Sequence, residues 1–269
     1  AISKKFEVPV SLLVKENSKA IQFLKNNSAI DEIIILDRGS KIRGGTHNGI
    51  VGSYNLIKHI KKFNFDKVFI FNSSLRYNLI VRGAGIKDIH QYPLFQKKNQ
   101  HIINAAKIFL KKELGLQVES DPKILINDQL IMDAKSKYKI DSKEINILLG
   151  IGGSGPTKRI PAKIFIDFMK LATQKYNCKF FLATGKNIEE QKILLEILNT
   201  CYKDKCYALD NLSLNEILPV IKNCNISICN DSSFSHLSSG LGVKTIVLMS
   251  DTPLLYGSYS PRMYPIIPD

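Results

Sequence analysis

Short apolar runs rich in Val, Ile and Phe alternate along the chain with longer amphipathic stretches. The runs at 8–14, 32–36, 67–71, 124–126, 146–149, 179–183, 226–229 and 245–249 predict buried strands, because a strand covered on both faces carries continuous rather than alternating hydrophobics. Between them, 18–26, 51–63, 75–83, 101–114, 162–175, 188–198, 214–222 and 234–240 carry the helical period. Strand–helix alternation predicts βαβ units, hence an α/β fold with parallel sheets. The polar stretch 117–143 interrupts the rhythm, and a new strand with a Gly-rich turn follows it. This places the domain boundary at 142/143, with Rossmann-like domains over 1–142 and 143–269. The first half opens on what reads as a helix tail, residues 1–6, followed directly by a strand. Since a doubly wound domain usually begins with a strand and its functional turn, that opening strand is expected upstream of Ala1.

Composition adds bounds. With 269 residues, 44% hydrophobic and 23% charged, the chain is globular in type rather than disordered or fibrous. It holds no apolar run near the ~20 residues of a membrane helix, and its first residues lack a signal-peptide core. The five cysteines form no CxxC and have no His at ligand-like spacing, so buried free thiols in a reducing, cytosolic compartment are expected. Charge is uneven. Residues 1–145 hold 25 Lys+Arg against 14 Asp+Glu, and residues 146–269 hold 13 against 10. A basic first half suits an anionic partner, although scattered lysines also suit ordinary solvated faces. Basic and aromatic residues are not interleaved on one segment, which argues against nucleic acid.

Three strand-to-helix turns carry the candidate chemistry. In Gly150-Ile151-Gly152-Gly153-Ser154-Gly155-Pro156-Thr157-Lys158-Arg159-Ile160-Pro161, a buried strand feeds a Gly-rich turn and then a helix with Pro161 near its start. Such a turn offers backbone N–H groups and a positive helix end to an anion; the alternative is a flexible loop. In Asn230-Asp231-Ser232-Ser233-Phe234-Ser235-His236, Asp231 and the serines sit where ordinary N-caps would, but also at the carboxyl end of a strand, where α/β ligands bind. In Thr184-Gly185-Lys186-Asn187-Ile188-Glu189, the Glu could accept from ribose hydroxyls or favour the helix dipole. Three such turns at one sheet edge predict a nucleotide site.

The combined pattern resembles glycosyltransferase family 9, the ADP-heptose:lipopolysaccharide heptosyltransferases. Lys158-Arg159-Ile160-Pro161 matches the family's Lys-x-Trp-Pro, Gly185–Glu189 its Gly turn with Glu, Asn211-Leu212-Ser213-Leu214 its nucleotide loop, and Asp231 to His236 its Asp-Thr/Ser-Gly-x-x-His. In the first half, Phe65-Asp66-Lys67-Val68-Phe69-Ile70-Phe71 and the helix ending near Gly85 also match. Ile160 stands for the common Trp and Ser233 for the Gly, where a Cβ would crowd the phosphate or force a different turn.

The resemblance implies a GT-B fold with the site in a cleft between two Rossmann-like domains. It implies inverting, metal-independent transfer of heptose from ADP-heptose to the anionic lipopolysaccharide core, with no cofactor beyond the donor. Residue by residue, it puts Lys158 on the pyrophosphate with Ser154 and Thr157 near it, and Gly185 and Glu189 at the ribose. Leu212 falls at the adenine, and Asp231, Ser232, Ser233 and His236 around the diphosphate and sugar. Lys158, Asp231 and His236 are its catalytic candidates. Arg38, Arg43 and Arg76 are candidates for the acceptor. The family's acidic general base is expected upstream of Ala1, and further helices beyond Asp269. A cytoplasmic enzyme touching the inner face of the inner membrane follows. Another GT-B nucleotide-sugar enzyme, or a non-catalytic nucleotide-sugar binder, would carry the same turns.

Overall fold

The structure, a computed structural model, describes residues 1–25, 27–39, 44–94, 101–119, 121–249 and 259–267. The chain divides into two compact units, Ala1–Glu119 and Ser120–Asp269.

In the first unit, α1 (Ile2–Phe6), β1 (Val10–Lys15), α2 (Ile21–Leu24), β2 (Ile30–Leu36), α3 (Gly49–Lys61), β3 (Lys67–Ile70), α4 (Leu75–Gly83), β4 (Asp88–Gln91) and α5 (Ile102–Leu114) follow in order. Strands β1 and β2 pair in parallel, as do β3 and β4, and the two pairs are separate sheets. Helix α3 buries Gly52, Leu56 and Ile60, one stripe at i, i+4 and i+8. Lys58 and Lys61 in its last turn face the negative end of its dipole. The stripe joins Leu36, Ile70, Ile80, Val81 and Ile86 in one core.

The second unit opens with α6 (Asp128–Lys137) and continues through β5 (Ile145–Gly150), α7 (Ala162–Lys175), β6 (Cys178–Ala183), α8 (Ile188–Leu198), β7 (Cys206–Ala208), α9 (Leu214–Lys222), β8 (Ile226–Asn230), α10 (Ser233–Gly240), β9 (Lys244–Leu248) and β10 (Met263–Ile266). Six strands make one all-parallel sheet in the order β10-β9-β8-β5-β6-β7. On one face Ile147, Leu149 and Ile151 meet Phe165 and Met169 of α7 and Leu194 and Ile197 of α8. On the other, Leu148 and Phe181 are fully buried, and Phe181 stacks on Tyr207. Removing an aromatic such as Phe165 from this packing would cost about 3–5 kcal/mol.

Two expectations change. The stretch 120–142 belongs to the second unit rather than the first. The Asn223 side chain donates to the Ile131 carbonyl at 2.9 Å, and the Ile124 amide donates to the Gly240 carbonyl at 2.8 Å. The apolar run 124–126 is therefore no strand; it lies against α10. No helix among the described residues is long and apolar enough to cross a membrane.

Candidate active site

Strand β5 lies between β6 and β8, so the turns that leave these three parallel strands share one edge of the sheet. After β5 the chain runs through Gly152 and Gly153 into a 3-10 turn, Pro156–Lys158, and then Pro161 caps α7. After β8 comes Asp231, then Ser232 as N-cap of α10. After β6 come Thr184 and Gly185, then Asn187 as N-cap of α8.

Asp231 is not a cap. The side-chain cap bond expected at the start of α10 is absent. Instead the Asp231 Oδ2 accepts from Lys158 Nζ at 2.5 Å, tying the β8 turn to the β5 turn. The Asp231 side chain is 4% exposed and that of Lys158 22%. A buried carboxylate needs such a partner, while the ammonium keeps access to solvent at the strand ends. Ser233 opens α10 and is exposed. Non-glycine left-handed backbone among the described residues occurs at Glu7, Lys19, Asn64 and Lys139, so the serine is accommodated without that strain.

Around this pair, Ser154 and Thr157 are exposed on the β5 turn and Arg159 donates to the Gly153 carbonyl at 3.2 Å. Ile160, in the place of the common Trp, packs against the core beside α7. His236 stacks on Tyr259, its Nδ1 3.2 Å from the phenol oxygen. Thr184 Oγ1, Asn230 Oδ1 and Ser232 Oγ are buried polar atoms with no hydrogen-bond partner among the described residues. They lie at the ends of β6 and β8.

At the edge of the sheet, Leu209 after β7 is fully buried and its amide donates to Leu182 of β6. Leu212 is half-buried on the same loop. Ser213 and Glu216 then form a capping box that starts α9.

The two glutamates after β6 differ. Glu189 is 57% exposed and bonds Lys192 at 2.9 Å, which holds its carboxyl below the usual range. Glu190, which the sequence reading passed over, is buried. Its Oε1 accepts from the Gly153 amide at 2.7 Å and its Oε2 from the Asn187 side chain. The Asn187-x-x-Glu190 spacing, a cap residue followed three later by Glu, was the signal available.

In the first unit, Arg76 donates to the His47 carbonyl and, at 3.0 Å, to Ser53 Oγ. Arg38 donates to Asn48 Oδ1 at 3.2 Å. Both guanidinium groups therefore meet the segment His47–Asn48. His47 Nδ1 accepts from the Asp37 amide at 3.0 Å, which requires the neutral ring, and burial pushes its pKa down accordingly. Arg43 lies outside the described residues. Among those described, no group of three His, Cys, Asp or Glu is placed to hold a metal ion.

Residues 53–265 match glycosyltransferase family 9 (heptosyltransferase). The chain belongs to that family. A lipopolysaccharide heptosyltransferase 1 of Campylobacter coli is 22% identical over 286 residues, covering 98% of this chain and 82% of that one. The solved E. coli ADP-heptose lipopolysaccharide heptosyltransferase II superposes with a TM-score of 0.75 at 15% identity, over 97% of this chain and 81% of that one. A family 9 glycosyltransferase of Veillonella parvula gives 0.78 at 20% identity, over 97% and 78%. E. coli WaaC, a heptosyltransferase solved with ADP, gives 0.71 at 13% identity, over 97% and 84%. The family 9 chain thus has the GT-B fold of the solved heptosyltransferases, and it is an enzyme of the glycosyltransferase type.

Proposed function

We propose that this glycosyltransferase moves a heptose from ADP-heptose to an anionic lipopolysaccharide core by a single inverting displacement. The observation that carries the reading is the Lys158–Asp231 pair, a cation fixed beside the Gly-rich turn where β5 and β8 end. A relative in the same family is a lipopolysaccharide heptosyltransferase.

In the displacement, the bond from the anomeric carbon to the diphosphate oxygen breaks as the bond to the acceptor oxygen forms. The acceptor's proton passes to a general base, and ADP departs with the bonding electrons. Charge develops on the leaving diphosphate. Lys158, the N-terminal ends of α7 and α10, and the hydroxyls of Ser154, Thr157, Ser232 and Ser233 are the groups suited to receive it. Holding Lys158 on Asp231 spares the site the reorganisation that a free lysine would need. His236 and Asp231 border the sugar, Glu189 and Gly185 the ribose, and Leu212 the adenine. The fixed leaving-group charges do the work here, with no metal ion assigned to the reaction.

On the acceptor side, Arg38 and Arg76, both fixed on His47–Asn48, are suited to carboxylates and phosphates, with Arg43 a third candidate. The outer surface of α3 and α4 supports contact with an anionic leaflet. Ile50, Tyr54, Leu75 and Leu79 are exposed there, and Lys58, Lys61, Lys62 and Arg82 are exposed on the same two helices and their ends.

Incubation of the full-length protein with ADP-heptose and a Kdo-bearing lipid A acceptor, followed by mass spectrometry of the lipid, tests the reading. Gain of one heptose per acceptor is expected. An unmodified acceptor under conditions where ADP binds would contradict transfer.

A further inference from the structure

Glu190 sits beneath the site, and the reaction as written does not use it. Its carboxylate is buried, and no Lys or Arg is paired with it among the described contacts. A buried carboxylate beside a proposed diphosphate site repels the ligand, so its presence asks for a structural reason.

The hydrogen bonds give one. Oε1 receives the Gly153 amide at 2.7 Å, across 37 residues of sequence. Oε2 receives the Asn187 side-chain amide, and Asn187 Oδ1 in turn receives the Glu190 backbone amide at 2.9 Å. The side chain therefore reaches from the first turn of α8 into the turn after β5 and holds it by its backbone. Gln191 adds a second tie inside the β6 turn, donating to the Gly185 carbonyl at 2.8 Å.

Two glycines make room for this. A Cβ built on Gly152 would stand 2.6 Å from Glu190 Oε1, and one built on Gly185 would collide with Oε2. Neither residue has the left-handed backbone that would otherwise require glycine. Their small size is explained by the carboxylate packed between them. The same contact links Glu190 to the Lys158 backbone: the Gly153 N–H points inward to Glu190, and Gly153 packs so closely on Lys158 that a Cβ there would stand 2.6 Å from the Lys158 carbonyl oxygen.

We infer that Glu190 is a positioning residue for the nucleotide: a carboxylate latch that joins the β5 and β6 turns and sets the shape of the turn bearing Lys158. This rests on the donor-site reading above and adds a residue to it. The latch works through hydrogen-bond acceptance rather than charge. A glutamine keeps an acceptor for the Gly153 amide and gives up only the bond from Asn187, so it should retain most of the latch, while an alanine should not.

Titration calorimetry with ADP on the wild-type chain and on E190Q, E190A and G185A tests this, with thermal melts alongside. Glu190→Ala should weaken ADP binding at least tenfold, and Glu190→Gln by less than threefold. Gly185→Ala, which drives a Cβ into the latch while leaving the carboxylate in the chain, should weaken binding in the same direction as Glu190→Ala. A merely structural role would lower all melting temperatures together without restoring affinity in Glu190→Gln. ADP affinity unchanged in Glu190→Ala would overturn the latch and leave the donor site standing. Absence of ADP binding by the wild type would overturn the donor reading itself, and the latch with it. Should Glu190→Ala fail to fold, Gly185→Ala against Glu190→Gln decides: equal and undiminished affinity in both contradicts the proposal.

Discussion

Lys158 and Asp231 are 73 residues apart in sequence, and their charged atoms are 2.5 Å apart. The pair joins the turns after two neighbouring strands, β5 and β8, so its loss should be felt in both folding and ligand binding. Lys158→Ala should weaken ADP binding by about 1.5–3 kcal/mol, the scale of a charge-assisted hydrogen bond. Asp231→Ala should lower stability by about 1–3 kcal/mol, because Lys158 loses the anion that holds it. It should also reduce the upward shift in melting temperature that ADP produces. A lowered melting temperature with an undiminished ADP shift would return Asp231 to a purely structural role.

The cysteines make a separate prediction. Burial pushes the Cys206 and Cys229 thiols up to about 12 and raises those of Cys178 and Cys224, while Cys201 is exposed. Since the thiolate is the reactive form, native protein at pH 8 should be alkylated quickly at Cys201 and slowly at the other four. Peptide mapping after a short iodoacetamide pulse measures it. Fast labelling of Cys229 would show that the end of β8 opens readily.

Asp37 sets a pH dependence in the first unit. The backbone and hydroxyl of Thr46 and the amide of Gly39 all donate to its carboxylate, which lowers its pKa. A carboxylate with a lowered folded pKa contributes stability that is fully present above its ordinary value of about 3.9 and is lost as pH falls through the folded one. An NMR titration of the Asp37 carboxyl carbon should give a midpoint below that ordinary value, and Thr46→Val should raise it. A midpoint at or above the ordinary value would contradict the bonding.

The outer face of α3 and α4 predicts lipid selectivity. Ile50 is 91% exposed, and Lys58 stacks over Tyr54 at 4.6 Å from the ring centre. The chain should sediment with phosphatidylglycerol vesicles and not with phosphatidylcholine ones. Ile50→Glu with Leu79→Glu should abolish sedimentation while leaving ADP binding unchanged. Equal sedimentation of wild type and the double variant would remove this face from membrane contact.

Much of the second unit was legible in the sequence because its central strands are covered on both faces. The runs ending at Leu149, Ala183, Cys229 and Met249 are continuous and hydrophobic, and they become β5, β6, β8 and β9. Strands β4 (Asp-Ile-His-Gln), β7 (Cys-Tyr-Ala) and β10 (Met-Tyr-Pro-Ile) were not, since each is short and lies at an end of its sheet. Pro265 is tolerated in β10 because that strand is an edge. Helix α6 lies hidden in the polar stretch 117–143 because its residues are mostly polar and Ala134 is its one buried side chain. At the site, the three turns and Lys158 were visible as local patterns. The Lys158–Asp231 and Glu190–Gly153 contacts were not, because each joins residues that only the strand order brings together. Glu189 drew attention from the spacing to Gly185, and its neighbour Glu190 is the one directed inward.

The central claim is that a nucleotide sugar binds where β5, β6 and β8 end. Hydrogen–deuterium exchange of the whole chain with and without ADP tests it most directly. The claim predicts that ADP slows exchange in 150–159, 184–190 and 231–236 and leaves the first unit's 102–114 unchanged. Unaltered exchange across those three segments at saturating ADP, or protection confined to the first unit, would contradict it.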